Sequence, residues 1–562
     1  MVKRLLVRIL RDAGVEGDIE LSAPPKLEMG DFAFACFDIA KKQGKNPNEA
    51  AAKLAEKLRS QAEEFLSEVN ATGPYVNFVV EGKKAAEFLL PELCRGDFGR
   101  LDSGRGKTVL VEYACPNPMK VFHLGHLRNL VTGEAVARVF ENALYDVKRV
   151  NYQGDVGMHI AKSLWGIERM KDEFDKVKKA DLKEKVAFLG RAYAFGAGAF
   201  EQDESAKQEI LEYNKKIYEQ DAQIAGHYQE ARSWSLDYFD EIYKKLGSHF
   251  DRLYFESEVF GPGKRLVEKG VKKDIFKKSQ GALIFAGSEI GLHDRVFVNS
   301  KGFPTYEGKD MGLAELHIAE YHPDLIIHVV GKEQSDYFKV VFKALEQVLP
   351  ETKGKEHHLV GGYLQLRGDQ KMSSRTGKVV AGDELIAMVE SKVEEIMHES
   401  NLEDKKQIAL KVAVAALKYS MLKVGVSQDI AFDITESVAV SGDSGPYLLY
   451  IVARIKSILR KAGEPSASIS VPDSVEAAEK KLLLRLSFFT EATERALISY
   501  DPSVIAKYLY ALAQDFNVFY EQCSVLESQG GVRAFRLKLL EVTRVIMERG
   551  LSLLGIETVE QM

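Results

Sequence analysis

Cysteine is scarce in this chain. Cys36, Cys94, Cys115 and Cys523 are the only four in 562 residues, and no two lie close together. A structural zinc site draws its ligands from short spacings such as Cys-x-x-Cys, so a cysteine-held zinc is not expected and no metal ligands are assigned. A disulfide framework is equally unexpected in a large chain without secretory signals. Long apolar runs are missing too: nothing approaches the ~20 residues a membrane helix needs. The opening Met1-Val2-Lys3-Arg4-Leu5-Leu6-Val7-Arg8-Ile9-Leu10 mixes charge with aliphatics and reads as an amphipathic helix, not a signal peptide. A cytoplasmic protein with no membrane partner is the expectation. A strong charge of one sign is also lacking. The net charge of −6 argues against indiscriminate nucleic-acid binding, yet leaves room for a local basic face. What remains, 45% hydrophobic and 28% charged residues, describes an ordinary globular chain of several domains.

Three regions are expected: an N-terminal α+β module over 1–104, an α/β catalytic domain over 105–403 with a helical insertion at about 160–250, and an all-α bundle over 404–562. In the first, Phe32 to Ala40 leads into a helix with apolar spacing through Ala51, Leu54, Ala55 and Leu58. Gly73-Pro74 then breaks the chain before the alternating strand Tyr75 to Val80. Ser103 to Gly106 reads as a linker. Lys107 to Tyr113 is a buried strand, a helix runs from about His123 to Leu144, and a second strand follows at Val147 to Tyr152. That βαβ unit implies a parallel, Rossmann-like sheet with a right-handed crossover. The stretch from about Ile160 to Phe250 is highly charged with few turn signals, and within it Glu201 to Asp240 reads as long amphipathic helices, with Tyr213, Ile217, Ile224, Tyr228 and Trp234 as core positions. Strands return at Ala282 to Phe285, Arg295 to Val298 and Leu325 to Gly331. Beyond Asp404 the strand signals nearly vanish, and Gly463 to Ser474 interrupts the helical text.

Two short elements carry the chemistry. His123-Leu124-Gly125-His126 opens a helix directly after the first buried strand. A helix N-terminus presents free amides and partial positive charge to phosphate. Gly125 lets a nucleotide approach the backbone. His123 and His126 can donate hydrogen bonds to phosphate oxygens as charge develops, which is electrostatic catalysis without a protein base. Downstream, Lys371-Met372-Ser373-Ser374-Arg375-Thr376-Gly377-Lys378 supplies a compact cation, hydroxyl donors and a bendable glycine.

In this order the two elements resemble the ATP-handling motifs of class I aminoacyl-tRNA synthetases. Val111-Glu112-Tyr113-Ala114-Cys115-Pro116-Asn117-Pro118 and Leu127-Arg128-Asn129 narrow the resemblance to the arginyl-tRNA synthetases, and it extends over nearly the whole chain. The resemblance implies activation of L-arginine with ATP and Mg2+, then transfer to the 3′-terminal adenosine of tRNA(Arg). His123, Gly125, His126, Lys371, Ser373 and Ser374 would be the catalytic set. The family's second signature-loop lysine is Arg375 here, and Arg375, Lys378 or Lys120 stands to take over its phosphate contact. Tyr306-Glu307-Gly308-Lys309-Asp310 resembles the family's Tyr-x-x-x-Asp element. Tyr306 would pack on the guanidinium and Asp310 would carry the counter-charge, four residues apart on one helical face. Glu256 would be the second carboxylate, with Glu258 as the competing choice. Asn117 and Gln334 would hold the α-amino and carboxylate end. No editing insertion is recognisable between Tyr152 and Ala282, which suits a charged substrate more easily discriminated than valine or isoleucine.

The resemblance also marks RNA surfaces. Single-stranded RNA is read by stacking and by hydrogen bonds to base edges. Ser444 to Arg454 resembles the family's anticodon-domain entry, with Tyr447 and Tyr450 as stacking candidates and Arg454 on phosphate. Gly73 to Phe78 resembles the element that touches the tRNA elbow, with Tyr75 and Asn77 as candidates. A monomer is expected. Two rivals stand against this reading: a class I synthetase for another amino acid, and a catalytically silent tRNA-binding relative.

Overall fold

A computed structural model describes residues 1–22, 24, 29–59, 65–367, 380–398, 404–463 and 471–562. The catalytic domain is built on five parallel strands. β1 (Thr108–Glu112) leads to helix α1 (Leu124–Asn142) and β2 (Asp146–Gln153). Five helices between 158 and 245 precede β3 (Arg252–Phe255), which runs straight into α2 (Glu256–Val271). α3 (Tyr306–Tyr321), β4 (Leu325–Gly331) and β5 (Glu356–Gly361) complete the unit. The strand order is β5-β4-β1-β2-β3, all pairs parallel. The chain therefore reverses its winding between β1 and β4, and crevices at such a switch point, outside the carboxyl ends of the strands, are where open α/β sheets bind ligands.

These elements follow from local chemistry. Val109, Leu110 and Val111 in β1 are fully buried, as a strand covered on both faces requires. α1 crosses β1 closely because position 133 is glycine: a Cβ there would lie 2.2 Å from the Tyr113 ring. In the insertion, Ile217, Ile224 and Trp234 are buried, and Tyr213 and Tyr228 pack against the same core, so the expected face is the observed one. α2 and α3 are in backbone contact through glycines. A Cβ on Gly263 would meet the Gly308 carbonyl at 1.9 Å, and one on Gly312 the Val259 carbonyl at 2.2 Å.

The N-terminal module carries a four-stranded antiparallel sheet ordered Leu21–Ser22, Phe32–Ala35, Tyr75–Val80, Leu66–Thr72. Two details depart from the sequence reading. Phe32 to Ala35 is a strand rather than a lead into helix, because its aromatics fill the sheet's inner face. Leu66–Thr72 pairs as an edge strand despite polar text, with Leu66 and Val69 facing in. The opening helix Val2–Asp12 buries Val2, Leu6 and Leu10, as its pattern demands.

The C-terminal region is helical, with long helices at Lys405–Leu422, Gly445–Ala462, Ser503–Gln522 and Gly530–Leu553. One short strand, Ile430–Phe432, pairs in parallel with Leu364–Leu366. The bundle also docks on the N-terminal module, where Lys480 Nζ meets Asp31 at 2.9 Å. Among the described residues no helix is long and apolar enough to cross a membrane.

Candidate active site

β1 delivers its chain into a tightly bent loop. Ala114, Cys115 and Met119 take left-handed backbone angles, with φ of 68°, 50° and 60°. Such angles cost non-glycine residues on the order of 1 kcal/mol each, and they concentrate at functional sites. The loop ends at His123, which caps α1. His123 Nδ1 accepts from the amides of Gly125 at 3.1 Å and His126 at 3.3 Å, while His126 Nδ1 accepts from the His123 amide at 3.3 Å. The rings stack with centroids 3.5 Å apart. Burial lowers both imidazole pKa values, and the Lys120 ammonium adds to the effect. A neutral ring whose Nδ1 accepts carries its proton on Nε2. The pair is thus held as two Nε2–H donors. This revises one expectation. First-turn amides were expected to be free for phosphate, but His123 already satisfies two of them, so the imidazoles present the donors instead.

Lys371, Ser373, Ser374, Arg375 and Lys378 lie outside the described residues. The chain beyond them returns to the same place: Ala381 bridges to His123, and the Gly382 amide donates to the Phe122 carbonyl at 2.6 Å. Arg128, in the motif flank, is structural. It is buried and donates to the carbonyls of Tyr363, Val426 and Gln428, tying α1 to the chain around the short parallel pair.

The other end of the crevice is acidic. Asn117 Oδ1 accepts from the Gly154 amide at 3.2 Å, and a Cβ on Gly154 would crowd both Asn117 and Glu256. Glu256, the first residue of α2, is buried and pairs with Lys309 Nζ at 2.6 Å. Burial alone would discharge Lys309, but the Glu256 carboxylate raises its pKa, so the pair is ionic. Removing one partner from so buried a pair costs about 3–5 kcal/mol. Asp155 anchors this helix start, accepting from the Ser257 amide at 2.8 Å and from the hydroxyls of Ser257 and Tyr228. Glu258 points elsewhere: it pairs with Arg252 at 3.1 Å and caps the Phe255 amide, and its side chain is 37% exposed. Of the two glutamates, only Glu256 is buried beside Asn117 and Gly154.

Asp310 accepts from Tyr337 Oη at 2.6 Å. Burial first, then the neighbouring Glu112 and Glu256 carboxylates, push its pKa up to about 8 against the opposing Tyr337 hydrogen bond and His328 charge. Tyr306 sits one turn before it, 65% exposed, its ring 5.0 Å from the Lys309 ammonium. Gln334 lies exposed in the turn that follows β4.

Four participants were not legible as site residues. Glu112, at the end of β1, is buried and keeps Oε2 without a partner among the described residues. His328 Nδ1 lies 3.2 Å from its Oε1, and His328 Nε2 lies 2.7 Å from Glu356. Burial opposes charge on His328, but the two glutamates raise its pKa well above the usual range. Tyr152 Oη, buried and without a hydrogen-bond partner among the described residues, feels the charges of Glu256, Asp310 and Glu112. Lys309 is the fourth. Each partnership joins residues far apart in sequence, so spacing gave no signal. Glu112 and Lys309 stand inside motifs read for their neighbours, and nothing in that text marked them. Among the described residues no group of three or more His, Cys, Asp or Glu side chains is placed to hold a metal ion.

The RNA candidates divide. Tyr450 is 38% exposed and Arg454 lies 4.3 Å from the Tyr520 ring, both lining a cleft of about 570 Å³ with Arg460, Lys461 and the terminal Met562. Tyr447 is half-buried, and its hydroxyl accepts from Asn517 at 2.8 Å. In the N-terminal module Tyr75 is exposed against Phe37. Asn77 is only 3% exposed, which removes it as a surface contact: it lies on the face of its strand opposite the core residues Val76, Phe78 and Val80, and the strands paired on both sides cover it there.

Three family models match in order along the chain. They are the arginyl tRNA synthetase N terminal domain over residues 1–80, the catalytic domain of class I (R) tRNA synthetases over 92–434, and the DALR anticodon binding domain over 448–562. An arginine–tRNA ligase of Clostridium acetobutylicum is 33% identical, with 98% of each chain covered. One from Treponema denticola is 32% identical over 97% of this chain and 95% of its own. The solved arginyl-tRNA synthetase of Thermus thermophilus superimposes with a TM-score of 0.81 at 28% identity, covering 100% of both chains. A matching catalytic model, full-length relatives and a shared architecture agree: the chain belongs to the class I arginyl-tRNA synthetase family.

Proposed function

We propose that this protein activates L-arginine with ATP, forming arginyl-adenylate and pyrophosphate, and then transfers arginine to the 3′-terminal adenosine of tRNA(Arg). The observation that carries the reading is a convergence. Glu112, Glu256 and Asp310, from three different elements, all act electrostatically on one buried tyrosine hydroxyl, that of Tyr152 in β2 beside the strand that leads to the His123–His126 helix. A planar guanidinium with five donors is the substrate head that such a carboxylate set suits. Asp310 and Glu256 carry its counter-charge, Tyr306 packs on it, and Asn117 with Gln334 holds the α-amino and carboxylate end.

The substrate carboxylate is ionised at neutral pH and attacks the α-phosphate once held in line. The two Nε2–H groups donate to phosphoryl oxygens as charge develops, the kind of preorganised stabilisation that is worth about 10²–10³ in rate per donor. Lys120 takes the phosphate contact of the family's second loop lysine. Its ammonium already acts on both imidazoles, and Lys371, Ser373, Ser374 and Arg375 are the further phosphate donors of this reading. Mg2+ arrives with ATP, bound to its phosphates. The cleft at Tyr450, Arg454 and Met562 receives anticodon bases, with Tyr447 buttressing it, and Tyr75 touches the tRNA elbow. The enzyme works as a monomer in the cytoplasm, with domains at about 1–104, 105–403 and 404–562.

The test is aminoacylation of total tRNA with each of the twenty amino acids. ATP-dependent charging by arginine alone is expected. Charging by another amino acid would overturn the pocket assignment, and tRNA binding without any charging would overturn the enzymatic reading.

A further inference from the structure

The Lys309 ammonium stands where a substrate's cationic head would stand. It is 2.6 Å from Glu256 Oε2, 5.0 Å from the Tyr306 ring centroid and 5.8 Å from that of Tyr218. Both members of the pair have side chains only 5% exposed. Tyr218 is the last residue of an insertion helix and is itself packed on Phe260 and Phe303, so the enclosure is built from α2, α3 and the insertion together. α3 cannot draw back to free the space, because Gly308 and Gly312 hold its backbone against α2. Two cations cannot share one buried carboxylate edge and the same ring face. An arriving guanidinium therefore has to displace Lys309 from Glu256 and Tyr306.

We infer that Lys309 sets the affinity of this pocket: an internal lysine that holds the guanidinium position and has to be displaced by any cationic ligand that takes it. The inference rests on the arginine pocket proposed above. Its logic is competitive. A tethered ammonium offers Glu256 a point charge on a flexible stem, whereas guanidinium offers a planar fork that can bind a carboxylate in two places. Free lysine or ornithine brings the same chemistry as Lys309 without the tether, and so gains nothing by replacing it. Arginine gains the second hydrogen bond and the flatter stacking surface. Displacing the internal lysine costs every cationic ligand the same, so it lowers affinity for arginine and for lysine by one common factor, and only the better-binding fork clears the raised threshold.

Calorimetric titration of the full-length chain with L-arginine and with L-lysine tests this, comparing the wild type with Lys309→Met, Lys309→Gln and Asp310→Asn. Freeing the position should tighten arginine and lysine binding alike, by about tenfold, as expected when one common occupant is removed, and should leave their ratio unchanged. Lys309→Gln, which keeps a neutral donor toward Glu256, gives the same direction and serves if Lys309→Met does not fold. Unchanged or weaker arginine binding in both variants would overturn the inference and make Lys309 a fixed structural partner of Glu256. Asp310→Asn keeps the two failures apart: if it leaves arginine binding at the wild-type level, the pocket assignment itself is wrong whatever Lys309 does.

Discussion

The two ends of the crevice solve opposite problems. At the nucleotide end the donors are neutral and locally held: His123 and His126 cap their own helix, stack on each other and are kept uncharged by burial. At the amino-acid end the groups are charged, and distant parts of the chain hold them. Glu256 depends on Lys309, Glu112 on His328, and His328 in turn on Glu356. A neutral donor pair needs no counter-ion, so one short segment suffices. A cluster of buried carboxylates needs cations to stay in place, and those come from other elements. On the function proposed above, the first end answers charge that develops during reaction and the second selects charge that the substrate already carries.

The comparison can be broken at either end. The largest effect is expected from His126→Ala, which removes one Nε2–H donor and part of the α1 cap. Adenylate formation should fall by about 10²–10³, while tRNA affinity stays near that of the wild type. An unchanged rate would remove the phosphate role. Asp310→Asn comes next. Losing one buried charge partner costs at least about 2 kcal/mol, so the KM for arginine should rise by about thirtyfold or more, measured by pyrophosphate exchange with tRNA present.

A smaller effect, confined to the charged end, comes from pH. Asp310 has its pKa pushed up to about 8, so it is largely protonated at pH 6. A guanidinium favours the carboxylate form, so binding releases this proton, and affinity rises as pH rises toward 8. The apparent dissociation constant for arginine should fall by nearly tenfold per unit over pH 6–7 and level off above 8. In Asp310→Asn that slope should vanish, and a pH-independent constant in the wild type would contradict the linkage. The smallest effect is expected from Glu258→Gln. It loses a half-exposed pair with Arg252, worth about 0–1 kcal/mol of stability, and arginine activation should be unaltered. Loss of arginine binding there would return the assignment to Glu258.

The same contrast explains what could be read in the sequence. The βαβ unit, the insertion helices and the His123–His126 capping segment declare themselves through periodicity and local spacing, and each forms where its text places it. The histidine tautomers were not legible, because they depend on which ring nitrogen meets a backbone amide. Tyr306 and Asp310 were found through a motif, and Glu256 only as one of two glutamates. Their difference in burial was not legible, because it depends on Lys309 from α3 meeting Glu256 and on Arg252 from β3 meeting Glu258. Glu112, Tyr152, His328 and Lys309 carried no mark, since their roles arise where separate strands and helices end together. Asn77 was misread because alternation in Tyr75–Val80 does not say that the strand is central and covered.

The most direct test separates the two ends in one assay. Arginine-dependent pyrophosphate exchange with tRNA present should be measured for the wild type, His126→Ala and Asp310→Asn, resolving kcat from the KM for arginine. The division predicts that His126→Ala lowers kcat with KM little changed, and that Asp310→Asn raises KM chiefly. If both substitutions move the same parameter by the same factor, the crevice is not divided as described.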